Sequence, residues 1–546
     1  MKSPLRPTAY FTIFVAMVVG FFCIINLIAL LQPTHFLKNL EPYPDGLLYS
    51  LSARNLAQGK GMQLVYEDSV VQHWVPPLYT LVLSSGYLIS SNPSTYVVIN
   101  TLLGAIGIWL IGWIVLCSTK NMVAAGFAVI LYASHAVILW LPSLPMSENL
   151  AVLLLVAGIA GLIVGKQKRW IGIAGALVAA IGLVLTRNAV VPVAGGLSIL
   201  AVLQLRKSVN KSGLIVTGIG TLVVVALYST LVTNPLRLIS DLAINLYSGN
   251  SPFYSLQFLI SNTIGYFKAL IGIPSPFLWN MTAFTSIFAS MGLVILPLLA
   301  WKLKRFCYET IVVISLFLAQ FPLMLVFYTL DTRYIIYSLP LIALAGGWSV
   351  ALIAPLVSRK WLYLGLGLVL LAHVFTQVPH FKQILSANVL GRTVGWQYQA
   401  ITSFDHYFAA TNEPAYLITA IPPFLVDAYS TSTYRVLPLS PAQEFIAKGQ
   451  WVWGTDTDPE RWMSSPPTFR NPRYQLDSIQ LVIDDLLVRN EPIFISNAYI
   501  THLPQVIKDY ETWKEQYVFE AVQTGCEQAC DMYRIKMKDL STTKIE

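Results

Sequence analysis

Charge is scarce in this chain. Of its 546 residues only 11% are Asp, Glu, Lys or Arg, against 55% hydrophobic, and the mean hydropathy is +0.62. A soluble domain carries about 25% charged residues, so the polar surface needed to stand in water is lacking. Cysteine is scarce too. Cys23, Cys117 and Cys307 fall in or beside apolar runs and read as small hydrophobes. Cys526 and Cys530 lie in a polar stretch without further Cys or His nearby. That speaks against a zinc-type site and leaves a local disulfide if the segment faces an oxidising compartment. The sequence has no P-loop, no dinucleotide-binding glycine motif, no His-Glu-x-x-His and no serine nucleophile elbow. It also has no repeat of fixed period and no low-complexity stretch.

What is present is long apolar sequence. Thr8–Leu31 follows Lys2 and Arg6 and is long enough to cross a bilayer. It exceeds a signal-peptide core and has no small-residue cleavage site, so it reads as a signal anchor with a cytoplasmic N-terminus. Further candidate spans are Thr95–Cys117, Met122–Leu141, Ser147–Gly165, Ile171–Leu185, Ala189–Leu203 and Leu214–Val232. Met281–Trp301, Thr310–Tyr328, Tyr334–Val357 and Trp361–Val378 bring the total to about 11 transmembrane helices. The formal charge of +8 would suit a nucleic-acid partner, but the basic residues sort by side. Alternate connections hold Lys120; Lys166, Lys168 and Arg169; Arg206, Lys207 and Lys211; Lys302, Lys304 and Arg305; and Arg359 with Lys360. The short connections on the other side hold only Arg187 and Arg333. This is the positive-inside pattern, and it excludes a nucleic-acid reading. Loops 32–94 and 233–280 then lie outside, as interfacial structured segments.

An odd number of spans places the tail outside as well. The expected organisation is a transmembrane module over 1–379 and a soluble extracytoplasmic domain over 380–546. Strand-like runs at Ala415–Ala420, Tyr434–Leu437, Pro492–Ser496 and Met532–Met537, with a helical pattern at Leu476–Val488, make that domain α/β. Asp456, Thr457 and Asp458 match the Asp-x-Asp signature of nucleotide-sugar transferases, but Gly454 and Pro459 flank them and an Asp-rich turn explains them.

The first outside loop carries the most chemistry. Asp45 stands where a helix would begin, a place the helix dipole favours for an acid and also one for a general base beside the membrane surface. Tyr49 follows on the same segment. His73 precedes Trp74 and the Pro76, Pro77, Leu78, Tyr79 run, and a lone interfacial His is ordinarily structural. Glu148 opens a span, where the dipole suits it, yet acids at span edges tend to be functional. Arg187 and Arg333 each end a connection, where snorkelling is the plain reading.

Their order resembles a known family. An acid soon after the first span, a Tyr- and Ala-bearing helix ending in Gly59, then Pro76–Tyr79 opening a helix, look like the first loop of the GT-C glycosyltransferases. These are polyprenyl-phosphate-sugar-dependent enzymes, among them protein O-mannosyltransferases and lipid A aminoarabinose transferases. Ser147–Glu148, Thr186–Arg187, and Asp331–Tyr334 followed by Pro340 (an Arg-Tyr-x-x-x-x-x-Pro spacing) agree with it, and the resemblance covers nearly the whole chain. Many relatives have Asp-Glu where this chain has Asp45 and Gly46, which puts a second carboxylate or a loop metal in doubt.

The resemblance implies an inverting glycosyltransferase at the outer face of a bacterial inner membrane. Asp45 would be the base, and Arg333, Tyr334 and Arg187 would hold the donor phosphate; Glu148, His73 and Tyr49 are further site candidates. Its partners would be a polyprenyl-phosphate sugar donor, a glycan, lipid or protein acceptor, and membrane lipids. The resemblance makes no cofactor certain, and a divalent metal stays open. The competing readings are a lipid-linked glycan transporter or flippase, which would show paired halves, an O-antigen ligase or polymerase, and a non-catalytic scaffold.

Overall fold

The computed structural model describes residues 7–31, 45–66, 69–72, 76–92, 94–206, 256–273, 285–326, 332–388 and 396–411, and beyond them 415–419, 426, 430, 434–438, 450–451, 463–464, 479–497, 511–523 and 531–538. The expected span Leu214–Val232, His73, Asp331, the Asp456–Asp458 motif, and Cys526 with Cys530 fall outside these. In chain order the helices are α1 (Pro7–Leu27), α2 (Asp45–Ala57), α3 (Leu78–Tyr87), α4 (Thr95–Thr119), α5 (Met122–Ala133), α6 (Ala136–Trp140), α7 (Glu148–Val164), α8 (Arg169–Thr186) and α9 (Val191–Arg206). After these come α10 (Leu259–Ile271), α11 (Ile287–Leu303), α12 (Cys307–Ala319), α13 (Phe321–Met324), α14 (Thr332–Ile335), α15 (Ser338–Ile353), α16 (Arg359–Asn388), α17 (Trp396–Thr411) and α18 (Ile479–Val488). The chain divides into two compact units, Met1–Phe36 with Val75–Arg392, and Leu37–Trp74 with Thr393–Glu546.

The first unit is helical because apolar sequence in lipid has to satisfy its own backbone, and an α-helix does so within one segment. Five helices among the described residues are long and apolar enough to cross a membrane: Ala9–Leu27, Thr95–Thr119, Arg169–Thr186, Arg333–Ile353 and Arg359–Lys382. Four shorter apolar helices accompany them, Glu148–Val164, Val191–Gln204, Ile287–Leu303 and Cys307–Ala319. This is a polytopic, integral membrane architecture. The stretch read from sequence as the single span Met122–Leu141 is broken: α5 and the segment Ala136–Ser143 meet at 64°. The cause is distant in sequence. His135 is the N-cap of α6, and the Ala136 N–H donates 3.1 Å to Gln377 Oε1 of α16 rather than continuing the helix.

Glycine sets the closest contacts. A Cβ on Gly172 would lie 2.2 Å from Gly165 N and 2.4 Å from Gly161 O, so α7 and α8 touch backbone to backbone. A Cβ on Gly292 would lie 2.7 Å from Gly346 N, which seats α11 against α15. α15 is buried from Ser338 to Leu352 and forms the centre of the unit, with Trp348 Nε1 donating 2.7 Å to Ser118 Oγ of α4.

The second unit contains α2, a short antiparallel hairpin of β1 (Gln63–Tyr66) and β2 (Ser69–Gln72), and a five-stranded sheet. The sheet strands are β3 (Tyr416–Thr419), β4 (Arg435–Pro438), β7 (Ile493–Ser496), β8 (Tyr517–Gln523) and β9 (Met532–Met537); the two-residue strands β5 (Gln450–Trp451) and β6 (Met463–Ser464) pair separately. The order is β4-β3-β7-β9-β8, with β3 parallel to both neighbours and β9 antiparallel to both of its own. Ile418, Ile493, Ile495 and Ile535 from the sheet pack against Ile483 and Leu486 of α18. The parallel strands β3 and β7 are apolar on both faces, as coverage on two sides requires.

Candidate functional site

The Gly161–Gly172 contact fixes the register of α7 against α8, and that register has a consequence at their far ends. Glu148 lies 13 residues before Gly161 and Arg187 lies 15 after Gly172. At 1.5 Å per residue those are roughly 20 and 22 Å along antiparallel helices, so the two side chains arrive at one level. Their charged atoms meet there, with Arg187 Nη1 2.8 Å from Glu148 Oε1. Ser147 bridges them: its Oγ donates to Glu148 Oε2 at 3.4 Å and accepts from Arg187 Nη1 at 3.4 Å.

Local sequence explains how each partner is presented. Glu148 stands in the first turn of α7, where exposed backbone N–H groups favour an acid. Thr186 Oγ1 donates back to Gly182 O at 2.6 Å at the end of α8. Arg187 then leaves the helix in extended conformation, φ −161° and ψ 132°, with its own N–H still on Leu183 O. Both charged groups are buried, Glu148 at 0% and Arg187 at 8% exposure. Burial works against the guanidinium's charge, and the Glu148 carboxylate together with the Tyr337 and Tyr334 phenols outweighs it.

The third strand of chain at this place is α14 and the start of α15. The Arg187 guanidinium lies over the Tyr334 ring, 5.4 Å from its centre. Arg333, itself buried, and Tyr337 share the electrostatic neighbourhood of Arg187. Two guanidinium groups, two phenols and one carboxylate thus gather within one unit. Among the described residues this buried set holds more positive than negative charge, which suits an anion, and guanidinium forks match phosphate oxygens. Arg187 Nε has no hydrogen-bond partner among the described residues.

Of the residues singled out from sequence, the structure brings together Glu148, Arg187, Arg333 and Tyr334. Asp45 and Tyr49 belong to the second unit, where Asp45 is the first residue of α2 and Tyr49 is buried one turn on. His73 lies outside the described residues. Sequence reasoning missed Tyr337, and it missed the polar residues that carry the loop before Glu148: Asn100, Asn149 and Tyr96. Their signal was a polar residue inside an apolar run. It also missed a buried pair of histidines at the helix break, His135 and His373, with ring centres 4.4 Å apart. His135 Nε2 bonds Thr285 Oγ1 and His373 Nδ1 bonds Ser286 Oγ, both at 3.0 Å. Among the described residues no group of three or more His, Cys, Asp or Glu is placed to hold a metal.

No family model matches the chain, and no curated protein matches it. Solved structures do, over nearly their full length. ArnT from Cupriavidus metallidurans bound to undecaprenyl phosphate superposes with a TM-score of 0.59 at 13% identity, covering 97% of this chain and 98% of that one. The same protein in the apo state gives 0.58 at 13%, over 96% and 98%. The fold is the GT-C fold. At this identity the likeness is one of architecture, and within it the Glu148–Arg187–Tyr334 cluster is the buried charged centre that this chain's own residues build.

Proposed function

We propose that this chain is an inverting glycosyltransferase that moves a sugar from a polyprenyl phosphate to an acceptor hydroxyl at the outer face of the membrane. The observation that carries the reading is the buried, cation-rich cluster of Arg187, Arg333 and Tyr334 around Glu148, in a fold shared with a protein solved with undecaprenyl phosphate. In this reading the membrane module has about 11 spans over 1–379, the N-terminus is cytoplasmic, and the domain over 380–546 is extracytoplasmic.

The chemistry follows from the charges. Asp45 takes the proton of the acceptor hydroxyl as its oxygen attacks the anomeric carbon. The bond from that carbon to the phosphate oxygen breaks, and its electron pair leaves with the polyprenyl phosphate. Attack opposite the leaving group inverts the anomeric centre. Arg333 and Arg187 stabilise the charge gathering on the phosphate, and Glu148 holds the Arg187 fork in place. The Tyr334 ring lies against that fork, and Tyr49 and His73 follow the base in sequence.

The test is a transfer assay in proteoliposomes supplied with undecaprenyl-phosphate-linked sugars and candidate acceptors. Asp45→Asn is expected to lower transfer by at least about a hundredfold, the scale of a lost general base, while donor binding persists. Arg333→Ala is expected to weaken donor binding itself. Transfer that survives both changes would sink the mechanism.

A further inference from the structure

The segment between α6 and α7, residues 141–147, is a 3-10 turn over Leu141–Ser143 followed by irregular backbone, and it is wholly buried. Backbone shut away from water needs partners for its carbonyls. Those of Leu141, Leu144 and Met146 take the backbone N–H groups of Leu144, Met146 and Asn149, and three side chains reach the segment as well. Asn149 Nδ2 donates to the carbonyls of Leu141, Leu144 and Met146 at 3.1, 3.3 and 3.0 Å. The Tyr96 hydroxyl donates to Ser143 O at 3.3 Å. Asn100, one turn into α4 and fully buried, donates through Nδ2 to Leu144 O at 2.7 Å and Pro142 O at 3.4 Å. Its Oδ1 accepts from the Tyr79 hydroxyl of α3 at 2.9 Å, and Tyr79 is close enough to Glu148 to feel its charge.

Asn100 is the hub of this arrangement. Its donor holds the loop and its acceptor holds α3, and Leu144 O is shared with Asn149. The loop it fixes ends in Ser147 and Glu148, the two residues that hold the Arg187 fork. We infer that Asn100 is a positioning residue: through the 141–147 loop it sets Glu148, and through Glu148 the aim of Arg187 at an anionic ligand. This rests on the phosphate-binding reading of the cluster. An amide that only satisfied carbonyls would change the unfolding midpoint and leave ligand affinity alone.

The experiment measures affinity for undecaprenyl phosphate by the purified chain in detergent, with the unfolding midpoint recorded in parallel. Glu148→Gln alone tests the underlying reading; unchanged affinity there overturns the site, whatever Asn100 does. Given a weakened Glu148→Gln, Asn100→Leu is expected to weaken binding about tenfold, within the range for a misaimed charged contact. Asn100→Gln, which keeps the amide, is expected to recover part of that. The double change Asn100→Leu with Glu148→Gln is expected to bind no more weakly than the worse single variant, because both act through one fork. Additive losses, or a folded Asn100→Leu chain with wild-type affinity, would overturn the inference. If Asn100→Leu does not fold, Tyr96→Phe removes one bond to the same loop and is expected to weaken binding a few-fold. Unchanged affinity in that variant would overturn it equally.

Discussion

Glu148 and Arg187 each sit where a lone charge would be costly, and each exists there because of the other. Removing one partner of a buried ion pair strands the remaining charge, at a cost of about 3–5 kcal/mol, whereas replacing both by neutral groups of similar size is far milder. Arg187→Met is therefore expected to lower the unfolding midpoint in detergent markedly, and Arg187→Met with Glu148→Gln to recover most of it. Donor binding should stay lost in the double variant, which separates the pair's part in stability from its part in function. Equal midpoints for all the variants would show that the pair supports neither fold nor loop. Glu148, Arg187 and Arg333 were legible because a charge at the edge of an apolar run stands out in one dimension, and Tyr334 came with the Arg-Tyr spacing to Pro340. Asn100 and Asn149 were not. Their importance lies in which carbonyls they reach, and those are up to 44 residues away in the chain.

Among the elements, the α7–α8 hairpin is the one whose geometry the site depends on most. Side chains at its glycine seam cannot be accommodated, since a Cβ on Gly172 would meet backbone atoms that have nowhere to move. Gly172→Leu is expected to abolish recovery of folded protein. Gly195→Ala in α9, where nothing lies within 4 Å of the added carbon, is expected to be neutral and serves as its control. Equal yields for both would mean that α7 and α8 do not touch as described. The α5–α6 break makes a second case. Gln377→Ala leaves the Ala136 N–H without its acceptor, which is expected to destabilise by about 1–3 kcal/mol. Helix positions were largely readable from apolar run length, and strands β3, β4, β7 and β9 fall within a residue of the runs that suggested them. The break was not readable, because Ser134 and His135 are weak helix breakers and the group that stops the helix is 241 residues away. Strand β8 escaped too: its run Tyr-Val-Phe-Glu-Ala-Val-Gln carries Glu520 and Gln523 among the apolar residues, so neither a clean alternation nor an apolar block marks it.

At the scale of the whole molecule, the segregation of Lys and Arg does what no single motif does, because it assigns a side to every connection. Lys166 and Lys168 follow α7, and Arg187 follows α8, so a single hairpin carries a basic end and a site end. The proposed orientation puts the first in the cytoplasm and the second, with the tail, outside. Two exposed positions report on it, Lys168 and Glu515. In a chain with Cys526 and Cys530 replaced by serine, Glu515→Cys is expected to react with a membrane-impermeant maleimide on intact cells. Lys168→Cys is expected to react only after the membrane is opened. The reverse pattern would leave the fold untouched and turn the Arg187 end towards the cytoplasm. A donor whose head group lies outside would then never meet the guanidinium groups. The orientation is thus the premise on which the proposed chemistry depends, and two labelling reactions decide it without any knowledge of the sugar or the acceptor.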